Sequence, residues 1–266
     1  MLTGVLPMRL LMIGDIMGKV GRRAVKDNLQ GLIAEYQVDV VIANGENAAG
    51  GNGITREIGR ELFQWGVDVI TMGNHVWNNK DIYSYILQEK RVIRPANYPA
   101  GAPGAGLHIL TGRNGVSMAV LNVSGRVFMA ALDCPFRRVD ELLATLPKDI
   151  KVILLDFHAE ATSEKVAMGW YLDGRVSAVC GTHTHIQTAD ERILPQGTAY
   201  ITDVGMTGPR DSVIGMKKEV VIEKFISQMP RRFEVATGTY QLNGVVIDVD
   251  EETGLAYAIQ RVQNDE

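Results

Sequence analysis

Residues 9–47 read RLLMIGDIMGKVGRRAVKDNLQGLIAEYQVDVVIANGEN, and their alternation sets the fold class. Arg9–Ile13 is a compact apolar run that stops at Gly14-Asp15, the pattern of a buried strand. Lys19–Tyr36 then places Val20, Ala24, Leu29, Leu32 and Ile33 roughly on one helical face. Asp39–Ala43 is a second apolar strand, followed by a polar loop that begins at Asn44.

The alternation continues outward. Thr55 can cap a helix over Arg56–Trp65, with Glu57 in its first turn. Val67–Met72 predicts a third strand, ending in Gly73-Asn74-His75, and Asp81–Glu89 a helix. Gly106–Leu110 and Ser117–Asn122 flank a Gly-rich turn as a hairpin. Val139–Leu146 predicts a short helix. Lys151–Phe157 and Val176–Cys180 read as buried strands around a helix near Ser163–Leu172, and later strands fall near Ala199–Thr202, Gly244–Asp248 and Leu255–Ile259. Early alternation with late antiparallel strands predicts a mixed α/β fold, a layered sandwich around two sheets. Residues 1–266 are expected to form one domain. Gly208–Arg232, helical around Glu219–Ser227, is expected to be a small accessory element near the site.

Composition bounds the function. Hydrophobic residues make up 46% and charged residues 22%, as in an ordinary soluble globular chain. With 31 acidic and 27 basic residues the net charge is -4, which provides no general attraction for nucleic acid or anionic membrane. No stable nucleic-acid complex and no membrane partner are therefore expected. No apolar run approaches the roughly 18 residues of a membrane span. Cys134 and Cys180 form no CxxC pattern and read as idle thiols, which suits a reducing cytoplasm. Met1–Pro7 lacks the features of a signal peptide, and Met8 is an alternative start. A homo-oligomer is expected, with Gly208–Arg232 a candidate for mediating it.

The placement of polar residues carries the chemistry. Asp15, Glu46-Asn47, Asn74-His75, His158 and His183-His185 each fall at or just beyond the end of an expected strand. In α/β sheets these carboxyl ends converge on one crevice, where ligands bind. Carboxylate, amide and imidazole without thiolate suit Fe, Mn, Zn or Mg better than a structural zinc cage. Asp15, Glu46, Asn47, Asn74, His158, His183 and His185 exceed what one ion takes, but with Glu46 shared they can hold two. His183 and His185, one residue apart, would point the same way on an extended segment. Two ions about 3.5–4 Å apart can clamp a phosphate and share a bridging hydroxide for in-line attack. His75, beside ligand Asn74, is assigned as the general acid for the leaving oxygen. An orienting role for it stays open.

Gly73-Asn74-His75 and Gly181-Thr182-His183-Thr184-His185, with Gly14-Asp15 before them and His158 between, resemble the calcineurin-like metallophosphoesterases. That superfamily carries D-x-H, GDxxD, GNH[DE], a lone His and GHxH. Here Met17 stands where the first His would be, and Asn44-Gly45-Glu46-Asn47 replaces GDxxD. GDIMG, NGEN, GNH-x-W, HAE-x-TSEK, GTHTH-x-QTAD and MTGP-x-DSVIG together resemble the YmdB branch, which is similar to bacterial 2′,3′-cyclic-nucleotide phosphodiesterases. The resemblance implies a four-layer αββα sandwich and a dinuclear phosphodiesterase acting on 2′,3′-cyclic nucleotides. It also implies one ion on Asp15, Glu46, Asn47 and His185 and another on Glu46, Asn74, His158 and His183. Asn47 would then compensate for the histidine absent at Met17. Iron is favoured, with manganese as the substitute.

Other signals are weaker. Gly14–Gly21 superficially resembles a phosphate-binding loop but lacks the Walker A spacing and is not GxGxxG. Gly50–Gly53 reads as a flexible loop and His108 as an ordinary strand histidine. Arg94 and Asn97 fit substrate contact and structural turns equally, and Trp77 and Trp170 fit packing better than a pocket. A phosphomonoesterase, a metal-retaining regulatory scaffold and a dinucleotide-dependent dehydrogenase stand as alternatives.

Overall fold

The computed structural model describes residues 8–266; the choice between Met1 and Met8 as the start concerns residues outside the described ones. A first strand, β1 (Met8–Ile13), passes through β2 (Asp15–Ile16) into α1 (Gly18–Tyr36). Then β3 (Val40–Asn44), α2 (Arg56–Trp65), β4 (Val69–Thr71), α3 (Ile82–Gln88) and β5 (Val92–Ile93) continue the alternation. The hairpin β6 (Leu107–Thr111) and β7 (Ser117–Ser124) is followed by α4 (Pro135–Thr145), β8 (Val152–His158), α5 (Thr162–Leu172) and β9 (Ala178–Thr182). Last come β10 (Arg192–Ile193), β11 (Ala199–Ile201), β12 (Met206–Pro209), α6 (Lys218–Ser227), β13 (Tyr240–Val249) and β14 (Ala256–Asp265).

The strands form two mixed sheets. One has the order β2-β12-β13-β1-β3-β4-β5, with β14 on β13; the other is β10-β11-β9-β8-β7-β6. The apolar layers show how they stack. Leu10, Met12, Ile42 and Ile247 of the first sheet pack on Val120, Leu154 and Cys180 of the second. Leu11, Ile13 and Val41 face Val25, Leu29 and Leu62 of the helices on the outer side of the first sheet. Leu155 and Phe157 face Val139 and Met168 on the outer side of the second. The result is the αββα sandwich, and strands buried on both faces explain the unbroken apolar runs.

Helix ends follow local chemistry. Thr55 caps α2 by accepting from the Ile58 amide at 3.2 Å, and Gly66, at φ 112°, ends it. Helix α4 starts at Pro135, upstream of the expected Val139, because proline is preorganised for the first helical position. The strands that escaped the periodicity, β2, β5, β10 and β12, are all too short to show alternation.

Parallel pairing positions the site. Strand β3 runs parallel to β1 and β4, and β8 runs parallel to β7 and β9. The carboxyl ends of both sets meet along one edge of the sandwich.

Candidate metal centre

The sequence-predicted residues come together there. Asp15 opens β2, Glu46 and Asn47 follow β3, Asn74 and His75 follow β4, His158 ends β8, and His183 and His185 follow β9. Asp15, Glu46, Asn47, His158 and His185 are buried. The amide of His183 donates to Asp15 Oδ2 at 3.2 Å, while Asp15 Oδ1 has no hydrogen-bond partner.

Two groups of atoms form. In one, His158 Nε2 lies 3.0 Å from Asn74 Oδ1, 3.1 Å from Glu46 Oε1 and 3.1 Å from His183 Nδ1. In the other, His185 Nε2 lies 3.2 Å from Asn47 Nδ2 and 3.9 Å from Asp15 Oδ1. Neighbouring ligands bound at about 2.1 Å around one ion lie about 3 Å apart, so the first group has the spacing of a coordination sphere. Glu46, His158 and His183 are close enough to share one ion.

Hydrogen bonds to the opposite ring nitrogens set the histidines for this. His185 Nδ1 donates to the Ile214 carbonyl at 2.9 Å, leaving Nε2 as a lone pair. The Thr182 hydroxyl donates to Asp156 Oδ1 at 2.7 Å, so it accepts from His158 Nδ1 at 2.9 Å and frees His158 Nε2. His183 Nε2 sits 3.1 Å from Glu160 Oε2, which leaves Nδ1 facing the cluster. The ring nitrogens of His158 and His183 thus converge with Glu46, while that of His185 faces Asp15. Such a set is complementary to a cation.

The titration behaviour has the same origin. Burial pushes the Asp15 carboxyl up to about 6, against the charges of His185 and His158. Burial also raises Glu46, but the adjacent His158 outweighs it and carries Glu46 down to about 2. Burial lowers His158, yet Glu46 and Asp15 hold it at about 9. His183 falls to about 3 through burial and the charge of His158. Without an ion, a single proton on His158 relieves the crowded acceptors. The orphaned Asp15 Oδ1 and this donor set both fit metal ions.

Close approach explains one motif glycine. A Cβ at Gly73 would stand 2.3 Å from both Glu46 Oε2 and His158 Nε2. Met17, at the position of the absent histidine, is buried and lines the pocket wall. Asn47 turns its oxygen to His75 Nδ1 at 2.7 Å and its nitrogen to Glu46 and His185. Serving as an oxygen ligand therefore requires its amide ends to exchange, a half-turn about the last side-chain bond.

One expectation changes. His183 and His185 are not on an extended segment: their φ values are 101° and 68°, in left-handed backbone. Strict alternation is therefore not what brings them together. The Gly14–Gly21 turn is no phosphate loop, because the amides of Gly14, Asp15, Met17 and Gly18 donate to Asn243, Gly205, Thr207 and Asn47 carbonyls. Arg94 and Asn97 are structural, holding loop carbonyls. Trp77 packs against Tyr83 and Tyr98.

Sequence reasoning missed the supporting residues. Asp156 is fully buried and accepts from Thr182 of its own sheet and from Asn44 and Thr71 of the other, tying the sheets together beneath His158. Glu160 sat in the HAE segment without a role. Asp203 follows β11 and could have been found by the strand-end rule that found Asp15.

The chain is similar to known proteins in sequence and fold. The profile of a family described as "YmdB-like protein" matches residues 11–262. A Bacillus subtilis protein named 2′,3′-cyclic-nucleotide 2′-phosphodiesterase is 52% identical over 255 residues, covering 96% of each chain. The crystal structure of a hypothetical protein from Thermus thermophilus superimposes with a TM-score of 0.91 at 45% identity, covering 97% of this chain and 100% of that one. A structure described as a novel phosphatase from Mycoplasma pneumoniae has a TM-score of 0.91 at 36% identity, covering 97% and 94%.

Proposed function

The chain belongs to the YmdB-like protein family, and on that premise we propose that it is a metal-dependent phosphoric diester hydrolase opening 2′,3′-cyclic nucleotides at the 2′-ester. The observation that carries this reading is the convergence of Glu46, Asn74, His158 and His183 acceptor atoms around one point. We assign Asp15, Glu46, Asn47 and His185 to one ion and Glu46, Asn74, His158 and His183 to a second. Iron is the proposed metal and manganese its substitute. Bound there, the ions supply charge that polarises phosphoryl oxygens and brings the pKa of a water towards neutrality.

The chain's own residues supply orientation and proton transfer. His75 is partly exposed in the pocket, and before Asn47 turns to ligate, its Nδ1 lies 2.7 Å from Asn47 Oδ1. Its Nε2 remains available to donate a proton to the ribose 2′-oxygen as that P–O bond breaks. Water forms the new P–O bond on the opposite side, and its proton leaves the site to balance the one His75 delivers. The product keeps its 3′-ester. Asp156 and Thr182 hold the His158 ring, and Ile214 holds that of His185.

Turnover of 2′,3′-cAMP, bis-p-nitrophenyl phosphate and p-nitrophenyl phosphate, with manganese or iron added, tests this reading. Diesters should lead. Preferred hydrolysis of the monoester would replace it with a phosphomonoesterase, and no turnover of any of the three would favour a metal-retaining scaffold. No helix among the described residues is long and apolar enough to cross a membrane. We place the protein in the cytoplasm and expect a homo-oligomer, which sedimentation tests.

A further inference from the structure

The phosphate chemistry occupies only one side of the pocket. The cavity, about 440 Å³, has Glu46, Asn47, His75, His183 and His185 on its polar side. That volume lies in the range of small-molecule sites. Phe225, Phe233, Met17, Ile214 and Met216 line the same cavity. A bare phosphodiester has no use for such a wall.

All of these apolar residues but Met17 come from one segment. A bridge from Met216 to Val235 joins the chain before and after α6, and one from Val213 to Met216 closes the turn ahead of it. The Lys217 amide donates to the Glu234 carbonyl at 2.9 Å, closing the same neck. Helix α6 buries only Val221, so its own packing does not explain its apolar side chains. Phe225 is 72% exposed although it lines the cavity, and Phe233 is 38% exposed. The Lys224 ammonium lies 4.6 Å from the centre of the Phe233 ring and so steadies it by a cation–π contact.

We propose that Phe225 and Phe233 form a subsite for the nucleobase of the substrate. This rests on the phosphodiesterase reading above and names what that site selects. With the cyclic phosphate among the polar groups, the attached base is carried to the aromatic side of the same cavity. Stacking on a ring face tolerates every base, since each has a π-face. The subsite therefore selects nucleosides over simple diesters, and discriminates little among the four bases.

The test compares 2′,3′-cAMP with the base-free methyl riboside 2′,3′-cyclic phosphate. In the wild type kcat/KM should favour the nucleotide at least tenfold. Phe225→Ala and Phe233→Ala should each cut that ratio fivefold or more, mainly through KM, and Phe225→Trp should restore it. A binding measurement runs beside this one: 3′-AMP should lose affinity in both alanine variants relative to inorganic phosphate. A wild-type ratio near one, or equal losses on both substrates, overturns the proposal. So does a fall in activity that tracks dissociation of an oligomer in sedimentation, which would make the wall a contact for a second copy. If the wild type turns over neither substrate, the phosphodiesterase reading fails. The 3′-AMP comparison then still decides the base subsite.

Discussion

Lys165 Nζ donates to Asp203 Oδ2 at 2.7 Å, and both side chains are sealed from solvent. The same carboxylate oxygen accepts from the Thr184 amide at 3.0 Å and the Thr184 hydroxyl at 2.7 Å. Thr184 stands between His183 and His185, whose left-handed backbone costs about 1–3 kcal/mol at each such residue unless its surroundings over-determine it. The ion pair between α5 and the end of β11 thus clamps the loop that presents both histidines.

Lys165→Met should therefore do more than loosen a helix. Removing one partner of a buried pair costs about 3–5 kcal/mol, and the loop should lose its shape as well. Urea denaturation should show the loss of stability, and metal analysis a reduced content. A change under about 1 kcal/mol with full metal content would show that the clamp is dispensable.

Glu46 and His75 should separate metal binding from proton transfer. Glu46→Gln removes the shared charge and should abolish both metal retention and turnover. His75→Ala should lower kcat by about 10²–10⁴, the usual contribution of a general acid, with both metals kept. Metal analysis of the two purified variants decides. An emptied metal position in His75→Ala would refute the acid assignment.

Metal affinity should rise with pH. In metal-stripped protein His158 holds its proton up to about 9 and Asp15 up to about 6, so an ion must displace them. Between about pH 6.5 and 8.5 the affinity should gain about tenfold per pH unit, and the slope should steepen below about pH 6. Asp15, raised above its unfolded value of 3.8, contributes stability that is full below that value and lost as pH rises through about 6. The stripped protein therefore carries this penalty in full at about pH 7.5. Manganese titrations monitored by calorimetry across this range would show the trend, and a flat profile would contradict it.

Gly73→Ala should be damaging out of proportion to one methyl group. Its Cβ would press on Glu46 Oε2 and His158 Nε2 at 2.3 Å, and both side chains are buried with little room to yield. Activity and metal content should both fall sharply, while circular dichroism keeps the helix and strand content. Normal metal content would show that the ligands can shift aside.

Most of the fold was legible because strands such as Val40–Asn44 and helices such as Arg56–Trp65 declare themselves within a short window. Apolar runs and caps are local. The cluster was legible for a related reason: parallel strands deliver their ends to one edge, so Asp15, Glu46, Asn74, His158 and His183 needed only to be found at those ends. Short edge strands such as Met206–Pro209 left no such trace.

Fold class, cluster membership and the family resemblance followed from residue types and spacing alone. Which nitrogen each histidine presents did not, because it depends on Ile214, Glu160 and Thr182, each distant in the chain from the histidine it holds. The Asp15 carboxylate meets the His183 amide across 168 residues, and a left-handed backbone rather than strand alternation turns His183 and His185 inward. The aromatic wall of α6 likewise exists only once bridges at Met216 fold it over the site. Periodicity is carried by neighbours along the chain, whereas tautomer, charge and pocket shape are set by neighbours in space.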